Sequence, residues 1–218
     1  MAIHPREPQQ HNVLKFKAYN FVKSRIVNCQ YLPGMLLSEQ ALAEEMAMSR
    51  TPVREALALL SQESLVRVVP RRGAFVAELS LRDIDEIFEL REAIECWVMR
   101  KVAGKIPVEK LDEFAASLAE IDQVNETAYW RAISLDQEFH NYLVNFAGNN
   151  RCEQIYRNVA DHNQRIRILS TRQPGRLIET VREHRLIIEA LRSGEPEVAA
   201  SAMQRHIDNA RQAALRLE

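Results

Sequence analysis

LSEQALAEEMAMSRTPVREALALLSQESLVRVVPRRGAFVAELS, residues 37–80, is the stretch that decides the fold. Ser38 caps a short helix that runs to Met46, with Leu42 and Met46 facing inward, and a brief turn follows at Ala47 and Met48. Ser49 caps the next helix, residues 50–63, in which Val53, Ala56, Leu57 and Leu60 recur at helical spacing as a buried stripe, with Arg50, Thr51 and Arg54 on the other side. The period then changes from 3.6 to 2. Residues 65–69 are β-rich, residues 70–73 form a turn carrying two arginines, and residues 74–77 make a second short strand. Upstream, residues 13–29 read as one more helix through Val13, Phe16, Ala18, Tyr19, Phe21, Val22, Ile26 and Val27, closed by Pro33 and Gly34. Three helices followed by a hairpin define a winged helix-turn-helix over residues 11–78, and residues 1–10 are expected to be a disordered tail.

From residue 79 to residue 218 no strand signal of similar strength recurs, and Gly104, Gly148, Gly175 and Gly194 are the only glycines. Ser80 and Asp83 form a capping box ahead of Ile84, Ile87, Leu90 and Ile94, and Gly104 with Pro107 closes that helix near Val102. Further helices are predicted over residues 108–124, 128–147, 150–170, 177–193 and 196–216, with breaks at Gly148 and Asn149, at Pro174 and Gly175, and at residues 193–196. The expected fold is mainly α: an N-terminal winged helix-turn-helix followed by an all-helical bundle.

The chain of 218 residues is 46% hydrophobic, enough to bury the cores of two domains. The formal net charge of −1 hides an asymmetry, because residues 1–78 carry 10 basic and 7 acidic side chains and the remainder 19 and 23. A slightly basic module on an acidic body suits phosphate attraction at one end. No apolar run approaches a membrane span and the first ten residues lack a signal core, so no membrane partner and a cytoplasmic location are expected. Cys29, Cys96 and Cys152 are odd in number and lack metal-type spacing, and read as reduced thiols.

In a helix-turn-helix the second helix enters the major groove with its N-terminal residues leading. Ser49, Arg50, Thr51, Pro52 and Arg54 form that start here, where arginine suits guanine O6 and N7 and the hydroxyls and free backbone N–H groups suit phosphate. Arg71, Arg72 and Gly73 at the hairpin tip are placed to enter the adjacent minor groove, and Ser38 and Gln40 at the start of the preceding helix complete the expected contact set.

A second constellation lies in the helical part. Asp136 and His140, four residues apart, share one helix face within reach of a single ion. His184 and His206 lie in two later helices separated by the break at residues 193–196, so both can point into a common core. Three imidazoles and a carboxylate suit a borderline divalent ion, zinc first, with nickel, manganese or iron as alternatives. Any one of these histidines, taken alone, is more often a packed or solvated residue than a ligand. Among the arginines, Arg91 in ELREAIE is the best candidate to hold an acidic ligand, with Glu95 one helical turn away as its other available partner. Arg165 and Arg167 are further candidates.

Residues 37–80 closely resemble the DNA-binding domain of the GntR family of bacterial regulators, and SRTPVREAL with the RRGAFVA wing resembles its FadR-like branch, whose C-terminal ligand domain, FCD, is all helical. Two departures stand out: Gln40 replaces the arginine of the usual LSEREL, and Ala47 replaces a glycine. The pattern DQEFH, then REH, then RH in the last helix is similar to the metal-binding subset of FCD domains at Asp136, His140, His184 and His206, and Arg91 is similar to a position lining the effector pocket. His162 belongs to none of these matches and is expected at the surface or behind the ligands; His4 and His11 lie in or beside the tail.

The resemblance implies a homodimer that places two recognition helices on operator DNA, in the family's usual role of repressor, and that responds to a small carboxylate or sugar acid bound with the metal. Two other readings use the same residues: a regulator whose metal is purely structural or is itself the signal, and a metal-dependent hydrolase in which the ion activates water. The hydrolase reading leaves the winged module unexplained and lacks a general base beside the metal motif, so no enzyme is expected.

Overall fold

The computed structural model describes residues 8–121 and 125–216. Its elements run α1 (Pro8–Val27), β1 (Leu36–Leu37), α2 (Glu39–Glu45), α3 (Arg50–Gln62), β2 (Val66–Val69), β3 (Gly73–Val76), α4 (Leu81–Val102), α5 (Val108–Ala119), α6 (Glu126–Phe146), α7 (Asn150–Ser170), α8 (Arg176–Ser193) and α9 (Pro196–Ala214). Two compact units divide between Leu79 and Ser80.

The first unit is a winged helix-turn-helix. Ala18, Val22 and Ile26, spaced by four along α1, are fully buried against the α3 stripe of Val53, Ala56, Leu57 and Leu60. The wing closes this core from the other side with Leu65, Val66 and Val76. It contains a strand that the sequence pattern does not announce: β1, β3 and β2 form one antiparallel sheet in that order, with Leu36 opposite Phe75 and Val66 opposite Val76. Two residues are too few to show alternation, and β1 exists only because β3 offers it an edge.

Both ends of α1 differ from the expectation. Of the expected tail, residues 1–7 lie outside the described residues, as does His4, whereas residues 8–10 form the first turn of the helix. Pro8 at the helix start loses no intrahelical bond. One turn on, the His11 ring meets Glu55 of α3 at 2.8 Å, so His11 is an interhelical contact and not part of a tail. The other end stops before Pro33, because Cys29 takes a left-handed φ of 53° and Gln30 N–H donates back to Arg25 O at 2.8 Å. In the helix-turn-helix turn, Ala47 is also left-handed, with φ 50°, which accounts for a glycine being usual there.

The second unit is entirely helical. The Ser80–Asp83 capping box is present at the start of α4, which packs chiefly on α9 and also on α6 and α7. The expected helix over residues 108–124 ends at Ala119, and its last three positions lie outside the described residues. Gly104 and Gly194 bring two loops into backbone contact: a Cβ on Gly104 would lie 3.0 Å from Gly194 Cα, and Gly104 N–H donates to Leu191 O at 3.1 Å. The apolar core, with Phe88, Met99, Phe139, Leu143, Ile187 and Ile207, surrounds an unusual set of buried polar groups: Arg91, Glu95, Asp136, His140, Asn163, Arg165, Arg176, His184 and His206. Charges almost never lie this deep without partners, so their concentration marks a site.

Candidate nucleic-acid interface and metal centre

On the helix-turn-helix, Ser49 caps α3 without a side-chain cap bond, so its hydroxyl is not committed to the helix. Arg50, Thr51 and Arg54 stand exposed beside it. Pro52 does not: it is buried with Val53 on the core face of α3, so its side chain is a packing residue rather than the expected DNA contact. Ser38 is exposed and its hydroxyl accepts from Ala41 N–H at 3.3 Å, making it the cap of α2, while the exposed Gln40 donates to Glu44 at 3.0 Å. Arg71, Arg72 and Gly73 are exposed at the wing tip, where Arg71 and Gly73 take φ of 63° and 110°.

A residue that pattern reading missed organises this surface. Glu39, at the start of α2, accepts from Arg54 Nε at 3.0 Å and from Arg54 Nη2 at 2.8 Å, and also from Arg50 Nη2 at 3.3 Å. The Arg54 guanidinium holds the Glu39 carboxyl below its ordinary range. Nothing in the local spacing of Glu39 signals this, since the pair forms only where α2 crosses α3.

In the helical domain the structure gathers Asp136, His140, His184 and His206 into one buried cluster whose donor atoms all lie within 4.8 Å of one another. The two members from α6 sit one turn apart, and α8 and α9 each supply one histidine. His140 Nε2 lies 3.2 Å from His184 Nε2, and His184 Nε2 lies 3.3 Å from Asp136 Oδ2. Each imidazole has its other nitrogen engaged by an acceptor: His140 Nδ1 by Glu95 Oε2 at 2.5 Å, His184 Nδ1 by the Thr180 carbonyl at 2.8 Å, and His206 Nδ1 by Glu183 Oε2 at 2.8 Å. With Nδ1 donating, each Nε2 is left as a lone pair. Two facing lone pairs and a carboxylate at these distances repel unless a cation lies among them, so the donor set fits a divalent ion.

The electrostatics agree. Burial, reinforced by the neighbouring histidines, pushes His184 down to about 3, and burial also lowers His206, so both are neutral imidazoles near pH 7, the form that can ligate a metal. Burial alone would raise Asp136, but the Arg167 guanidinium beside it outweighs this and holds the carboxyl well below its ordinary range.

A small cavity, about 30 Å³, opens beside the cluster. Arg91, Asp136, Asn163, Arg167, Arg176 and His206 supply its polar wall, and Phe88, Ile133 and Ile166 part of its apolar wall. Arg91 is buried, donating to Glu95 at 2.7 Å and to Asn163 at 3.0 Å, while its Nη2 has no hydrogen-bond partner among the described residues. The available partner Glu95 is therefore real, but as a buried pair rather than a surface one. Arg165 is not in the cavity wall. The α7 positions that line it are 163, 166, 167 and 170, one helical face, and residue 165 falls off that face. Arg167 is on it; Arg176, which sequence reasoning passed over, joins from the first turn of α8. His162 is buried, not at the surface, and stands outside the four-residue cluster.

No described helix is long and apolar enough to cross a membrane. Residues 15–76 match the family model of bacterial regulatory proteins, gntR family, and residues 86–209 match the FCD domain. The uncharacterized HTH-type transcriptional regulator YdhC of Bacillus subtilis (strain 168) is 31% identical over 193 residues, covering 88% of this chain and 86% of that protein. The HTH-type transcriptional repressor RspR of Escherichia coli (strain K12) is 26% identical, covering 94% and 88%. In fold, the chain superposes on a transcriptional regulator GntR from Rhodococcus sp. RHA1 with a TM-score of 0.79 at 22% identity, covering 92% of this chain and 97% of that one. The relatives are regulators of transcription and not enzymes, and the chain, with a winged helix-turn-helix ahead of an FCD domain, belongs to the GntR family of bacterial transcriptional regulators.

Proposed function

We propose that the protein is a ligand-responsive repressor whose C-terminal domain holds one divalent ion and, beside it, a small carboxylate or sugar acid that alters operator binding. The observation that carries this reading is the gathering of three imidazoles and one carboxylate with donor atoms within 4.8 Å of one another, two of these residues, Asp136 and His206, standing in the wall of an arginine-lined cavity. Asp136, His140, His184 and His206 would hold the ion, zinc first by donor chemistry. Bound there, the ion would supply an electrophilic point for a carboxylate oxygen. Arg91, with its unpartnered Nη2, provides a directional donor for the same anion.

At the other end, Arg50 and Arg54 read base edges, the Ser49 and Thr51 hydroxyls with the α3 N-terminus hold phosphate, and Arg71, Arg72 and Gly73 reach the minor groove. Ser38 and Gln40 border this surface on α2. The protein acts as a homodimer on a two-fold symmetric operator in the cytoplasm. Effector binding changes operator affinity only by its differential affinity for two states of the dimer. Repression follows the name of the Escherichia coli relative.

The test is metal analysis of the purified protein together with operator binding measured on wild type and His184→Ala, each with and without added carboxylic acids. About one ion per chain, and an acid that shifts operator affinity only when His184 is present, supports the reading. A metal-free wild type that still responds to acids assigns recognition to Arg91 and its neighbours and overturns the role of the ion.

A further inference from the structure

We infer that the cavity selects a dianion, a short dicarboxylate, over the monocarboxylate that lacks its second carboxyl group. The inference rests on the reading of the cavity as a metal-assisted carboxylate site and adds the charge of its occupant.

The argument is a count of charges that water does not screen. Three arginines from three different helices line the cavity: Arg91 from α4, Arg167 from α7 and Arg176 from α8. Each is already paired with one carboxylate. Arg91 meets Glu95 at 2.7 Å, Arg167 meets Asp136, and Arg176 meets Glu183 through both nitrogens at 2.7 and 2.9 Å. These six side chains are between 2% and 14% exposed, and their charges cancel. Glu179 also approaches Arg176, at 3.6 Å, but is 64% exposed, so solvent screens it.

The three carboxylates are not spare. Asp136 is a candidate ligand, Glu95 engages Nδ1 of His140, and Glu183 engages Nδ1 of His206. The same anions that neutralise the arginines therefore orient the imidazoles, and neither task leaves charge over for a divalent ion. With the ion held by Asp136 and three neutral imidazoles, the buried site carries an excess of two positive charges. A monocarboxylate cancels one of them. A second carboxylate cancels the other, and Arg91 Nη2 offers it a donor that lacks a hydrogen-bond partner among the described residues. In a site of low dielectric the uncompensated charge costs far more than it would in water.

The experiment titrates the full-length, zinc-loaded protein calorimetrically near neutral pH and constant ionic strength with two matched pairs, propionate against succinate and lactate against malate. Within each pair the added group is one carboxylate. We expect the dicarboxylate to bind at least about tenfold more tightly in both pairs. We also expect that preference to shrink about tenfold in protein stripped with a chelator and in Arg176→Gln, each of which lowers the positive charge of the site. Equal affinities within the pairs, or a preference that survives stripping, overturn the dianion inference while leaving metal-assisted carboxylate sensing in place. If none of the four acids binds, carboxylate sensing itself fails, and the inference with it. Should Arg176→Gln not fold, the comparison of loaded and stripped wild type decides alone.

Discussion

Glu39 and Arg54, 15 residues apart in sequence, form a two-point ion pair that joins the start of α2 to the exposed face of α3, with Arg50 reaching the same carboxylate. An acidic group in the middle of a surface for DNA opposes phosphate attraction. It also fixes the direction of a guanidinium fork whose use depends on geometry. These two effects have opposite signs for random and specific DNA, and can be separated.

Glu39→Gln is expected to raise affinity for random-sequence DNA and to lower the operator-to-random ratio by about fivefold, a fraction of what one good base contact contributes. Fluorescence anisotropy over a salt series measures both. A ratio that does not fall would show that Glu39 does not orient the arginines.

Arg54→Ala should weaken operator binding about tenfold or more at physiological salt, the scale of a lost bidentate base contact, with an unchanged circular dichroism spectrum. Unchanged affinity would remove Arg54 from the reading surface. Pro52, buried on the core face, should behave differently, with substitutions there lowering thermal stability before they touch sequence preference.

Glu183→Gln keeps all four candidate metal donors but weakens the acceptor that orients His206. Metal affinity, measured by competition with a chromogenic chelator, should fall about 10- to 100-fold. An unaltered affinity would mean that the His206–Glu183 contact has no part in holding the ion.

The metal-stripped protein should lose stability in acid. His184 is held at about 3 when folded against 6.5 in the free side chain, so the unfolded chain takes up a proton that the folded chain refuses. Stability is complete above about 6.5 and declines as pH falls toward about 3. Glu183, lowered to about 2 because His206 and Arg176 outweigh its burial, adds to the loss below about 4.5. Thermal unfolding of chelator-treated protein between neutral and mildly acidic pH reads this directly, and a flat profile would contradict the neutral, buried state of His184.

Two backbone positions give opposite predictions. Ala47→Gly relieves a left-handed alanine and should stabilise the first unit by about 1 kcal/mol. Gly104→Ala places a methyl 3.0 Å from Gly194 Cα at a φ of 68° and should cost about 2 kcal/mol. Urea unfolding of the two variants measures both.

Much of the molecule was legible in its linear order. The switch from helical to alternating period after Glu63 marks the wing, Ser80 and Asp83 mark the start of α4, and the i,i+4 spacing of Asp136 and His140 places two donors on one face, because each of these signals acts within a turn or two of backbone. Tertiary structure alone decided the rest. Strand β1 needs the edge of β3, and Pro52 lies inward because the core face of α3 begins with it. The fate of most arginines was nonlocal as well: Arg165 turns off the cavity face of α7, Arg176 turns into it from α8, and Arg167 meets Asp136 of another helix, whereas the Arg91–Glu95 pair follows from i,i+4 spacing and only its burial was decided by packing. Spacing along a helix determines which side chains share a face, whereas the packing of one helix against another determines what that face meets, and for a buried charge that partner determines its chemistry.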